Sequence, residues 1–334
     1  MNSITLVAVM LVMAFCARTK AQTWQELSSH VFTNAAIVWE IPSNRLPEKL
    51  WVYRRILPHV FPPAVISNAV VLAALQSRGF PQPSTNDFYI LEEVPPDWPS
   101  TIVPLLAIQP RDANLSFGIV HFSPVSEKEI PDEDKLVRRA REYAFQLGLD
   151  PANLTKHSLY AHLCDTDKAA NNFCGRGVFF PRYLDGIPFF SAAEDGESAE
   201  GFSMEFGEHG KIQAFSVRWS KMEHFENERT ASQGEITLCL KAHKAIVMPN
   251  FKDDDFPRLR KLATATKFTI TKITPYYGEG VFGDMPTNDV PCGFATPFAE
   301  LEAVADFGIS NAPVKLLSPI LSSEVRRLLT ERVK

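Results

Sequence analysis

Apolar side chains that recur at every second position fix the middle of this chain as paired strands. Phe202, Met204 and Phe206 alternate along one segment and Phe215, Val217 and Trp219 along the next, while Gly207-Glu208-His209-Gly210 between them has turn chemistry. A period of two places such side chains on one face of a pleated strand. Residues 202–206 and 211–219 are therefore predicted to form an antiparallel hairpin. Ile212 falls out of phase with Phe215, which predicts a bulge or a frayed start beside the turn. Upstream, the strand-like segments 178–183 and 187–190 flank Asp185-Gly186, a second turn signal.

A helix precedes this β-rich stretch. Leu136, Val137, Ala140, Tyr143, Ala144 and Leu147 share one face of a 3.6-residue period, with Arg138, Arg139, Arg141 and Glu142 largely outside it. Asp132 or Asp134 can cap its start and Gly148 can end it. Toward the N-terminus, 87–91, 102–108 and 116–122 are predicted strands of an antiparallel meander, and Pro104 argues for an edge position because proline cannot donate to a ladder. The apolar stretch 64–75 is too short to cross a bilayer and is predicted to be a buried helix. Farther on, 235–247 is read as a strand from Ile236, Leu238 and Leu240, although its end would also suit a helix. A helix follows over 254–266, with Phe256, Leu259 and Leu262 at helical spacing. Strands are predicted over 267–277, 298–307 and 316–321, and a closing helix over 322–333, capped at Ser322 or Ser323. No alternating βαβ rhythm is present. The order indicates an α+β fold of antiparallel sheets with a few packed helices. The acidic stretch 123–134, with Pro124 and Pro131, is the expected boundary between an N-terminal α+β lobe, 22–125, and a C-terminal α+β lobe, 126–334.

Residues 4–15 are apolar apart from Thr5 and lead to Thr19-Lys20-Ala21-Gln22, which resembles a small-residue cleavage site. Residues 1–21 are therefore expected to be a signal peptide, although no Lys or Arg precedes the apolar run; an uncleaved anchor is the alternative. Cleavage would leave a secreted or periplasmic protein with no stable membrane span. Four cysteines remain, Cys164, Cys174, Cys239 and Cys292, and an oxidising compartment would permit two disulfides. Cys164 with Cys174 is the local choice.

The net charge of −5 is small and mixed in sign for 334 residues, which argues against a nucleic-acid partner. Gly278-Glu279-Gly280-Val281-Phe282-Gly283 matches a dinucleotide-binding pattern, but Pro286 and Pro291 follow where a helix must begin. His157, His162, Cys164 and Cys174 do not match zinc-module spacing, and Asp165-Thr166-Asp167 fails as a calcium loop at Ala169 and Ala170. Ser203 lies in a strand-like run rather than a nucleophile elbow. Glu92-Glu93, the acidic run 194–200 and Asp253-Asp254-Asp255 are read as solvated loops or helix starts. No cofactor, metal site or catalytic residue is assigned. Aromatic residues beside Pro or Gly near strand ends, Trp98, Tyr183, Tyr276 and Tyr277 foremost, are candidates for a ligand groove, with core packing as the plainer alternative. Asn114-Leu115-Ser116 and Asn153-Leu154-Thr155 have the form of glycosylation acceptors.

The helix followed by an Asp-Gly turn, a strand, the Gly-Glu-His-Gly-Lys-Ile turn and a further strand resembles the PepSY-like and YycI-like modules of exported bacterial proteins, over about residues 134–220. The long cysteine loop departs from that pattern. The resemblance implies a non-catalytic module that binds or inhibits a protein or peptide partner, and it carries over no catalytic residue. The alternative is an exported hydrolase whose site is assembled from scattered His, Asp and Glu. Convergence of His157, His162, His209 or His224 in one cleft would favour it.

Overall fold

The computed structural model describes residues 31–32, 34–42, 45–75, 85–91, 104–119, 125–163, 173–190, 200–242, 244–248, 260–278 and 294–330. In chain order the first elements are β1 (Ala36–Trp39), β2 (Lys49–Ile56), α1 (Pro63–Leu72), β3 (Phe88–Leu91), β4 (Pro104–Gln109), β5 (Asn114–Ile119), α2 (Glu133–Gln146), β6 (Ser158–Leu163) and β7 (Phe173–Pro181). There follow β8 (Tyr183–Leu184), β9 (Ile187–Pro188), β10 (Gly201–Phe206), β11 (Ile212–Arg218), β12 (Lys221–Arg229), α3 (Gln233–Lys241), β13 (Ile246–Val247), β14 (Lys267–Gly278), β15 (Phe294–Asp306), β16 (Asn311–Pro319) and α4 (Ser322–Thr330). The fold is α+β.

Two compact units result, one from residues up to Tyr53 together with those from His224 onward, the other from Arg54–Glu223. The chain crosses between them within β2 and again within β12. This division differs from the expected boundary at 125/126. The reason is a long-range ladder: β5 pairs antiparallel with β11, from Asn114↔Arg218 to Gly118↔Ala214, so segments on either side of residue 125 share one sheet.

In the unit Arg54–Glu223 the sheet runs β3-β4-β5-β11-β10-β7-β6, with antiparallel neighbours throughout. Phe202, Met204 and Phe206 are fully buried and join Leu106, Leu115, Val178, Phe180, Phe215 and Val217 in one core. That core also takes Val65, Ile66, Ala69 and Val70 from α1 and Leu136, Val137, Ala140 and Ala144 from α2. The hairpin and the amphipathic helix form as predicted because each hides its apolar side in this shared core. The bulge lies where Ile212 loses phase: Glu205 pairs Ala214 but Phe206 pairs Ile212. Asp132 accepts from the Lys135 amide at 2.9 Å at the start of α2. At its end Gly148 takes φ +85°, Gly148 N bonds Phe145 O, and Leu149 N bonds Ala144 O, the paired bonds of a Schellman stop. Asp185 and Gly186 both take positive φ, as a two-residue hairpin turn requires. One expectation fails. Strand β4 lies inside the sheet between β3 and β5, not at its edge, and Pro104 is accommodated as the first residue of the strand.

The other unit is built on the path β1-β14-β15-β16-β13, with β2 pairing both β15 and β12. Strand β1 runs parallel to β14, and the remaining ladders of that path are antiparallel. The segment read as a strand over 235–247 is instead helix α3, followed by the short β13. A capping box starts it: Ser232 Oγ accepts from the Glu235 amide and Glu235 accepts from the Ser232 amide. Ile236, Cys239 and Leu240 are buried at i, i+3 and i+4, whereas Leu238, which supplied the apparent alternation, is 55% exposed. Among the described residues no helix is long and apolar enough to cross a membrane. The expected signal peptide, 1–21, and most of the helix expected over 254–266 lie outside the described residues.

A close approach inside the seven-stranded sheet gives a direct test of this packing. Gly177 pairs with Tyr160, and a Cβ on Gly177 would stand 2.0 Å from the tyrosine ring. Gly177→Ala is expected to lower stability by about 1–3 kcal/mol in urea unfolding. Adding Tyr160→Ala to that variant should cost less than the same change in the parent chain, because the clash is already its main defect.

Candidate functional site

The structure scatters the residues that the sequence singled out. Trp98 and Cys164 lie outside the described residues, as do Glu92, Glu93, the glycine-rich segment 279–283 and Asp253 to Asp255. Tyr183 is half-buried, and burial raises its phenol above the ordinary range; Lys156 Nζ stands 5.5 Å from its ring centroid. In the other unit Tyr276 stacks on Phe298, whereas Tyr277 is fully buried and donates to Trp51 O at 2.9 Å. Tyr277 is thus a core residue and not the wall of a groove. Its neighbour Tyr276 points to the opposite side of β14, as the strand period dictates.

The histidines do not converge among the described side chains. His157 is exposed beside the start of β6, His209 is exposed with Nε2 3.3 Å from Glu208 Oε1, and in the other unit the His224 ring lies 4.4 Å from that of Trp51, tilted by 38°. The side chain of His162 lies outside the described residues. Ser203 is an internal strand residue of β10. Of the two glycosylation-like sequences, Asn114 is buried with its amide committed to Gln109 at 2.8 Å, and Asn153 is exposed. Cys174 is fully buried in β7, and Cys239 is a buried free thiol.

Sequence reasoning missed a buried polar cluster in the unit Arg54–Glu223. Glu200 Oε1 receives Arg55 Nη2 at 2.8 Å and Ser220 Oγ at 2.8 Å, and Oε2 receives Arg182 Nη1 at 2.5 Å. Arg55 Nε also donates to Ser220 Oγ at 2.9 Å, and the Arg182 guanidinium lies 5.3 Å from the Trp219 ring centroid. All three charged side chains are buried. His59 stands near this charge; burial lowers its pKa, Glu200 opposes the shift and Arg182 adds to it. Both carboxylate oxygens are thus already engaged by donors, and Glu200 holds position rather than offering a base. No spacing could reveal the group, because its members come from β2, the end of β7 and the two flanks of the hairpin. Only Glu200, at the end of an acidic run, carried a signal.

An open groove of about 630 Å³ lies along α2, lined by Asp134, Val137, Arg138, Arg141, Glu142 and Phe145 from the helix and by Pro151 and His157 from the chain after it. Phe145 is 67% exposed. Arg141 is fixed, donating to Leu154 O at 3.3 Å with its guanidinium 5.6 Å from the Phe180 ring. A smaller hollow of about 370 Å³ is lined by Leu57, Pro58, Thr85 and Arg111. Neither brings an acid and a base together with a nucleophile. The larger one offers an apolar anchor between charged side chains, which suits docking.

No protein-family model matches the chain, and no curated protein matches it. Among solved structures it is similar to the C-terminal domain of YpeB from Bacillus megaterium, at 9% identity and a TM-score of 0.26 over 78% of this chain and 99% of that one. A score of that size does not establish a shared fold.

Removing the carboxylate of the buried cluster separates structure from chemistry. Glu200→Ala leaves two guanidiniums without their counter-charge and is expected to cost about 3–5 kcal/mol. Equilibrium unfolding in urea measures the loss.

Proposed function

We propose that this chain is an exported binding or regulatory protein without chemistry of its own, and that it engages a protein or peptide partner through the outer groove of α2. The observation that carries this reading is Phe145. An amphipathic helix that buries Leu136, Val137, Ala140 and Ala144 has no packing reason to present a phenylalanine 67% exposed beside an open groove. Large aromatic side chains displayed next to fixed arginines are the usual anchors of protein interfaces. The helix-then-strands order over 134–220, on which the PepSY-like resemblance rests, agrees with a module that binds rather than reacts.

Export is supported by the apolar run 4–15 with its Thr-Lys-Ala ending. A disulfide between Cys164 and Cys174 belongs to the same reading. Strands β6 and β7 pair antiparallel as far as Leu163↔Phe173, the residues that adjoin Cys164 and Cys174 in the sequence. Peptide mapping of the unreduced secreted chain should find Cys164 and Cys174 in one linked fragment. Recovery of both as free thiols would overturn the pairing.

The docking face is tested by comparing the chain from Gln22 onward with its Phe145→Asp variant in a pull-down from the native extracytoplasmic fraction. The parent is expected to retain a stoichiometric partner that the variant loses. Because Phe145 is exposed, the variant should unfold within about 0.5 kcal/mol of the parent. A partner retained equally by both would place binding elsewhere.

A further inference from the structure

The groove along α2 carries its charges in a fixed order. Asp134, Arg138, Arg141 and Glu142 all line it, an acid at each end and two arginines between. Arg138 stands four residues from each acid and three from Arg141, so the four share one stripe of the helix. At about 1.5 Å of rise per residue the two acidic positions lie about 12 Å apart along the axis, and the two basic positions about 4.5 Å apart. Phe145 continues the stripe one turn beyond Arg141, and Pro151 lines the groove from the chain after the helix.

The arginines of α2 differ in what holds them. Arg139 donates to Tyr143 Oη at 3.1 Å and Arg141 to Leu154 O at 3.3 Å. Arg138 is exposed, and among the described residues its guanidinium makes no hydrogen bond or ion pair. Asp134 and Glu142 stand at the spacing that ordinarily closes a helical ion pair, yet neither forms one with it. Arg141 keeps N–H donors beyond the one given to Leu154, since a guanidinium carries five. The order of charge then selects the sign of a guest. A carboxylate set at the middle of the stripe meets two cations at close range and the acids only at the rim. A cation brought to Asp134 faces Arg138, and one brought to Glu142 stands beside Arg141.

We propose that the partner enters this groove as an extended segment of the form acid-x-apolar, its carboxylate taken by Arg138 and Arg141 and its apolar side chain laid on Phe145 and Pro151. The inference rests on the groove being the docking face. Side chains two apart on an extended chain share one side and lie roughly 7 Å from each other. That separation is close to the roughly 6 Å of helix axis between Arg141 and Phe145. A volume of about 630 Å³ suits a segment of this size. Arginine is matched to a carboxylate by its planar fork, which takes both oxygens at once.

The test is an NMR titration of the chain from Gln22 onward with three synthetic peptides, read at the amides of residues 134–146. The peptides are acetyl-Ser-Glu-Ser-Leu-Ser-amide and its counterparts with Gln or Lys in place of Glu. The Glu peptide is expected to bind about fivefold more tightly than the Gln peptide, and the Lys peptide most weakly. Arg138→Gln should erase the difference between the Glu and Gln peptides, and Arg138→Glu should invert the order of Glu and Lys. Phe145→Ala should weaken all three by a similar factor. Equal affinities in the parent, a preference for Lys, an order unmoved by Arg138→Glu, or no shift with any peptide would sink the acidic class. Equal affinities that are all lost in Phe145→Ala would sink that class alone and leave the docking face standing. A dimer in sedimentation that Phe145→Ala dissolves, with no peptide bound, would put a second copy in the groove instead.

Discussion

The ladder between β5 and β11 is the contact on which the unit Arg54–Glu223 depends. It joins two antiparallel blocks, β3-β4-β5 and β11-β10-β7-β6, into one sheet. Each block alone would leave one apolar face against water. Joined, they make a surface wide enough for both α1 and α2 to bury their stripes, with Phe117 and Phe215 meeting across the seam at a centroid distance of 5.4 Å. Apolar burial is worth roughly 25 cal/mol per Å², and a seam that completes the face for two helices commands much of that gain. The entropy of closing the long intervening segment grows only slowly with its length.

Charge is handled differently in the two units. Around Glu200 two guanidiniums share one carboxylate in the interior, where each ion costs several kcal/mol to desolvate and the arrangement is tolerated only because the hydrogen bonds are saturated. Around α4 the balance is incomplete. Glu235 has its arginine, whereas Glu324 shares its surroundings with another carboxyl group and a thiol that stays neutral. The first kind of site fixes geometry, and the second leaves the Glu324 carboxyl raised above the ordinary range by burial. The α2 groove belongs to neither kind, since its one exposed aromatic side chain is left without a role in the core.

Strong periodicity was legible from the chain itself. The 202–219 hairpin, its bulge at Ile212, helix α2 with its Asp132 cap and Gly148 stop, the meander β3-β4-β5 and the late strands β14 to β16 follow from patterns contained within one or two turns or a single hairpin. Assignment of 235–247 as a strand failed because a period of two and a helical face agree at Ile236 and Leu240. The capping box at Ser232 and Glu235 was the better signal. Strands β1 and β12 gave no pattern: β1 is short, and β12 is mostly exposed, with charged or polar residues at most positions.

What the sequence by itself determined is therefore the α+β class and the local elements whose apolar positions repeat within a few residues, since that repetition needs no partner to be read. Only the tertiary structure decided where the units divide, that Tyr277 is core while Phe145 is displayed, and that Arg55, Arg182, Glu200 and Ser220 meet. Each of these depends on which distant segment a residue faces. That choice is made by the joint burial of many side chains at once, and no short stretch of chain contains it.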